Sequence, residues 1–209
     1  MAAPLHIEAV SKDNVLAAHP LALSSVFWEL ADPTLKCEPA FEKEAWLHAA
    51  LMDYGECGFH LKTPVETLAT VLFCHASMCP GAAQLPSGPP ADGFVITSLF
   101  AQPRIQDIAP ALLLDAAIMA IMRRGEDHVE AFGWREDFVE DPENPQPEVL
   151  EILDQSPRIG LMNANALEAA GFEVVHPHPA LPRYRLELPP KRELLVAYEV
   201  SCLTSSSNL

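Results

Sequence analysis

Apolar and polar residues recur along this chain in short, well-bounded runs. The stretch "LHIEAV", residues 5–10, alternates and predicts a first strand. Ser11 stands where it can cap a helix over residues 13–18; Pro20 interrupts that pattern, and "LALSSVFWELA" resumes helical spacing. The plainest helix of the N-terminal half is "EPAFEKEAWLHAALMDYG". Pro39 falls in its first turn, Phe41, Ala45, Ala49 and Met52 share one face, and Gly55 lies beyond its end. Residues 57–62 and "TLATVLFCHAS" predict two strands joined by a hairpin through Thr63, Pro64, Val65 and Glu66. A loop rich in Pro, Gly and Ala over residues 79–92 leads to the strand "GFVITSLF".

The stretch "PRIQDIAPALLLDAAIMAIMRRG" then reads as a tight turn and a long apolar helix. From Ala111 to Met122 its only charge is Asp115, so it is buried on more than one side; Arg123 and Arg124 suit the dipole in the last turn, and Gly125 suits a left-handed stop. Its outer side calls for a cover: the N-terminal helices, the C-terminal segment, or a second copy in a homodimer. "DHVEAFG" predicts a further strand. Residues 134–160 form an acidic, Pro-rich insertion, expected to be mobile, with one helical turn around residues 149–153. "NANALEAAGF" is a short helix capped by Asn163 or Asn165 and stopped by Gly171; "FEVVH" and "RYRLEL" are strands around a "PHPALP" turn. Residues 191–200 suit a last strand or helix, and residues 203–209 a polar, flexible tail. The order is β-α-α-β-β-β-α-β-α-β-β, with hairpin and crossover connections, hence one α/β domain over residues 1–209 with a mixed sheet.

Composition narrows the classes. With 209 residues and 49 % hydrophobic content the chain buries a sizeable core, and no apolar run reaches the roughly 20 residues that span a bilayer. The N-terminus lacks signal-peptide features, which predicts a soluble cytoplasmic protein. A net charge of −16 argues against nucleic acid and suits a cationic partner, a small amine or a Lys-containing peptide, although solubility alone also accounts for it. The cysteines, Cys37, Cys57, Cys74, Cys79 and Cys202, are odd in number and irregular in spacing, which predicts reduced thiols. "CHASMC", with His60, lacks the spacing of a metal site, so buried strand cysteines and no metal are expected.

The stretches "SLFAQPRIQDIAPALLLDAAIMAIMRRG", "HVEAFG", "NANALEAAGFEVV" and "PRYRLEL", with this element order, resemble the GCN5-related N-acetyltransferases (GNAT superfamily). The resemblance implies a GNAT fold: a mixed, mostly antiparallel central sheet flanked by helices and splayed between strands four and five. It also implies acetyl-CoA as acyl donor. In the family the turn before the long helix has the form Arg/Gln-x-x-Gly-x-Gly/Ala. Here Arg104, Ile105, Gln106, Asp107, Ile108 and Ala109 occupy it, with Arg104 and Ala109 fitting and Asp107 at the first glycine. Main-chain N–H groups at such a turn point at a pyrophosphate. Asp107 places a charge where the anion belongs; at about 4 Å two like charges repel by about 4 kcal/mol at an effective dielectric of roughly 20. The same carboxylate suits a helix N-cap.

The family's reaction needs a carbonyl held by a main-chain N–H on the fourth strand, for which Ser98, Leu99 and Phe100 are the candidates. It also needs a base, for which Glu130 in "HVEAFG" is the candidate; the other reading pairs Glu130 with an arginine. The family's proton donor to the thiolate, a tyrosine, is replaced by Leu167, and spacing does not choose among Tyr54, His75 and Tyr184 as substitutes. Two functions follow: an acyl-CoA-dependent N-acyltransferase of a cationic amine with a degenerate pyrophosphate loop, or an inactive binding or regulatory module of the same fold.

Overall fold

The computed structural model describes residues 4–32 and 38–195. Within them the alternating runs become strands β1 (His6–Ala9), β2 (Gly58–Lys62), β3 (Thr67–His75), β4 (Phe94–Ala101), β5 (His128–Trp134), β6 (Met162–Asn163), β7 (Glu173–His176) and β8 (Arg183–Glu187). The periodic runs become helices α1 (Pro20–Ser24), α2 (Pro39–Tyr54), α3 (Ala109–Arg123), α4 (Pro147–Ile159) and α5 (Ala164–Ala169). The sheet order is β1-β2-β3-β4-β5-β8-β7, with β6 added beside β5. Neighbours pair antiparallel except β4 with β5 and β5 with β6. The expected α/β class and mixed, mostly antiparallel sheet are what the chain forms.

The turns do what their residues allow. The Thr63 hydroxyl accepts from the Val65 and Glu66 N–H groups and closes the β2–β3 hairpin. Asn163 caps α5 by accepting from the Asn165 N–H at 2.8 Å. One core lies between the sheet and α3 with α5, including Phe73, Ile96, Leu113, Ile118, Val129 and Leu167. Trp28, Leu47, Leu72, Phe100, Phe132 and Ile159 fill the opposite side under α1, α2 and α4.

Several expectations fail locally. Pro20 starts α1 rather than breaking a helix; residues before it make a 3₁₀ turn, Val15–Ala17, and α1 ends at Ser24. The face of α2 marked by Phe41, Ala45, Ala49 and Met52 is the exposed one, with Phe41 66 % and Met52 74 % exposed. The buried stripe is Lys43, Leu47, Ala50 and Leu51. Lys43 tolerates complete burial because its ammonium meets the buried Glu29 carboxylate at 2.5 Å and lies 5.4 Å from the Trp46 ring. The insertion holds a thirteen-residue helix, α4, whose Val149 and Ile159 are buried, where one turn was expected.

The outer side of α3 is covered by the chain itself. Asp115, 2 % exposed, accepts from the Arg192 guanidinium and from the Leu195 N–H at 2.8 Å, and Leu188, Leu194 and Leu195 pack on the core. Residues 196–209, including the expected tail, and Cys37 lie outside the described residues.

Candidate functional site

β4 and β5 run side by side for only three residue pairs, Phe94 with Val129, Val95 with Glu130 and Ile96 with Ala131. Beyond them β4 continues to Ala101 and β5 to Trp134 without pairing to each other, so the strands part in a V. A bulge in the β3–β4 register between Leu72 and Phe73 accompanies the parting. A cavity of about 450 Å³ lies beside the diverging end of β4. Its wall is the end of β4 (Leu99 to Gln102), the start of α3 (Pro103, Gln106 and Pro110), and β6 with Leu161 and Ala166. His19 and Leu21 close it on the α1 side, and Pro157 on the side of α4. No lining side chain is a carboxylate, lysine or arginine.

At the head of the V the chain inserts its own backbone. The C-terminus of α4 ends in Gly160, in the left-handed region at φ 68°. The Gly160 carbonyl accepts from the Leu99 N–H at 2.8 Å, and the Ile159 carbonyl accepts from the Trp28 indole N–H at 2.8 Å. These bonds satisfy carbonyls that a helix end otherwise leaves free. A Cβ on Gly160 would meet the Phe100 ring at 2.7 Å and the Ser98 Cβ at 2.8 Å, so both conformation and space demand glycine. Met162 and Asn163 then continue beside Gly133 and Trp134 as β6. The returning insertion thereby ties β4 to β5 across their gap.

The turn before α3 is built without glycine. Pro103–Ile105 is a 3₁₀ turn, and no residue from Pro103 to Ala109 has positive φ, so the turn needs no glycine. The Ile105 side chain is buried in the core. Arg104 does not line the cavity; its guanidinium pairs with Glu66 and bonds Gln102 Oε1. Asp107 is exposed and is not the cap: the N-cap is Ile108, without a side-chain bond. The Ile108 N–H is taken by the Ile105 carbonyl, and Pro110 in the first turn has no N–H to offer. Ala109 is fully buried. Of the implied cofactor contacts, Leu99, Phe100 and Gln106 line the cavity.

Glu130 is placed away from the cavity, 1 % exposed and beside Val95. Its Oε1 accepts from Arg185 at 2.8 and 3.2 Å; its Oε2 accepts from the Ala91 N–H at 3.1 Å and lies 3.6 Å from Arg183 Nε. That is the arginine-paired setting. The substitutes for the missing tyrosine are likewise occupied. Tyr184 donates to Glu168 at 2.9 Å, and burial pushes its phenol up to about 12. Tyr54 stacks on His75, whose Nε2 lies 3.2 Å from Asp92. Leu167 is fully buried in the core.

Cys57 and Cys74 are buried thiols, and burial holds Cys57 at about 12 and raises Cys74 well above an ordinary thiol. Among the described residues no three metal-ligating side chains come together. His60 is fully buried with Nδ1 on the Thr70 hydroxyl at 3.0 Å. His178 is a turn residue, accepting from the Ala180 and Leu181 N–H groups.

His19, Pro157, Leu161, Met162 and Ala166 line the cavity and were not foreseen. Pro110 was a visible signal, since a proline removes a donor wherever it stands in the turn. His19 carried none, being an isolated histidine before a proline.

The fold as a whole is similar to that of solved proteins. The yncA protein of Salmonella typhimurium, described as an acetyltransferase and solved with its cofactor acetyl-CoA, is 14 % identical over 93 % of this chain and 99 % of its own, with a TM-score of 0.51. The chain has the GNAT fold. An N-acetyltransferase from Staphylococcus aureus Mu50 is 15 % identical over 88 % of this chain and 98 % of its own, at a TM-score of 0.49. A GNAT-family acetyltransferase from Desulfovibrio desulfuricans gives 13 %, 88 %, 98 % and 0.49. No protein-family model matches the sequence, and no curated protein does. Within the GNAT fold, α4 and β6 lie in the insertion between β5 and α5.

Proposed function

We propose that the V-shaped cavity takes the pantetheine arm of an acyl-CoA and that the chain is an acyl-CoA-dependent N-acyltransferase. The observation that carries this reading is the neutral cavity of about 450 Å³ between the end of β4 and β6, ending at the start of α3. Pantetheine is an uncharged chain of amides and methylenes, and such a wall of main chain, proline and aliphatic side chains suits it. The yncA protein, with the same fold, is described with acetyl-CoA as its cofactor, which supports the choice of donor. The net charge of −16 supports a cationic acceptor, a small amine or a Lys-containing peptide. The nucleotide end is weakly held: Arg104 is paired with Glu66, Pro110 withholds an N–H, and Asp107 opposes an anion.

Those same three features, with the Leu99 N–H already bonded to Gly160, favour a second reading, a GNAT-fold binding module without acyl donor. Titration calorimetry with acetyl-CoA and coenzyme A separates the two. Saturable binding, weakened at least tenfold when Ala166→Trp fills the cavity, supports the transferase. Absence of heat at millimolar coenzyme A in the parent chain, with binding restored by the double substitution Asp107→Gly and Pro110→Ala, supports the module.

A further inference from the structure

The Leu99 N–H, a candidate to hold the acyl carbonyl, is bonded to Gly160, so a thioester oxygen in this cavity needs another donor. His19 closes the same cavity on the α1 side. Its main chain is fixed by an N–H bond to the Thr70 hydroxyl at 2.9 Å, and its ring stacks on Phe100 at 6.1 Å and 10°. Nδ1 accepts from the Leu21 N–H at 3.3 Å, which leaves that nitrogen unprotonated and puts the proton on Nε2. The residue is 8 % exposed, and burial holds its pKa below that of an ordinary histidine, so it is neutral at pH 7. Among the described residues Nε2 has no partner.

A neutral imidazole is a poor proton source, but its fixed N–H is a preorganised donor to an oxygen gaining negative charge. We infer that His19 Nε2–H is the hydrogen-bond donor to the thioester carbonyl of the acyl donor in this cavity; the assignment rests on the acyl-CoA reading above. The acceptor nitrogen attacks the carbonyl carbon and a C–N bond forms, while the C=O π pair moves to oxygen beside Nε2–H. Collapse re-forms the C=O bond, the C–S bond breaks with its electron pair on sulfur, and the proton lost by the amine ends on the thiolate through solvent. His19 keeps its proton throughout.

The test is the isotope-edited infrared spectrum of acetyl-CoA carrying ¹³C at the thioester carbonyl, bound to the full chain. The expected result is a carbonyl stretch lower than in solution. His19→Asn keeps an oxygen for the Leu21 N–H, and His19→Phe keeps an aromatic ring on Phe100. Both are expected to return the stretch to its solution value in spectra recorded with acetyl-CoA saturating each variant. An unshifted carbonyl in bound parent protein, or a shift that survives in either folded variant, overturns the role of His19 and leaves the cofactor reading intact. Failure of the parent chain to bind coenzyme A at all overturns both. If both variants fail to fold, the parent spectrum alone decides.

Discussion

Glu130 shows how far a residue's type falls short of its role. An acidic residue in an apolar central strand suggests a catalytic base, while the side chains it pairs with, Arg183 and Arg185, are more than fifty positions away in sequence. Glu130→Gln is expected to lower stability by about 2 kcal/mol in urea unfolding, since it leaves two guanidinium groups without their anion. If Glu130 were a free base, the substitution would abolish acyl transfer with an unchanged midpoint. His60 makes a pH-dependent contribution. Burial lowers its pKa from 6.5 to about 4, so the folded state binds fewer protons than the unfolded state between those values. Stability conferred by the neutral ring is therefore complete above about pH 6.5 and is lost as pH falls towards 4, by about 3 kcal/mol in all. The slope of unfolding free energy against pH over that window is expected to flatten in His60→Gln.

The elements themselves were largely legible, because hydrophobic period, proline and glycine are local signals. Both ends of α2 follow from Pro39 and Gly55, and α5 from Asn163 and Gly171. What escaped was which face of an element turns inward. α2 carries two stripes, and the one containing a lysine is buried because Glu29, outside the helix, supplies the countercharge. α4 was underestimated for the same reason: its acidic composition reads as a solvated loop, and its burial depends on Trp28, some 130 residues earlier in sequence. The cavity was half legible, since the strand and turn that form one wall are contiguous, whereas the other wall comes from the end of the insertion. Gly160→Ala tests that wall. A Cβ there is strained by φ and collides with Phe100, so the variant is expected to lose about 2 kcal/mol or more, read by thermal unfolding. If its stability is unchanged, the tie between Gly160 and Leu99 is not as described.

At the scale of the whole molecule, charge opposes the proposed donor and favours the proposed acceptor. Coenzyme A is an anion approaching a surface of net charge −16. Its association is therefore expected to strengthen as salt rises from low ionic strength to about 0.15 M, where the screening length is about 8 Å, and binding of a polyamine to weaken over the same range. Calorimetry of each at two salt concentrations checks the pair of opposite signs. The parent fold also rests on long-range closure. Asp115→Ala frees Arg192 and the Leu195 N–H together, and is expected to expose residues 188–195 to limited proteolysis and to lower stability by about 2 kcal/mol.

That clasp has a temporal consequence. A ribosome making this chain releases α3 long before Arg192 exists to meet Asp115, and β5 before β8 exists to lie against it. The nascent greasy helix therefore waits, half dressed, until Arg192 and Leu195 have emerged, and those seconds of synthesis are when aggregation, or a chaperone, finds it.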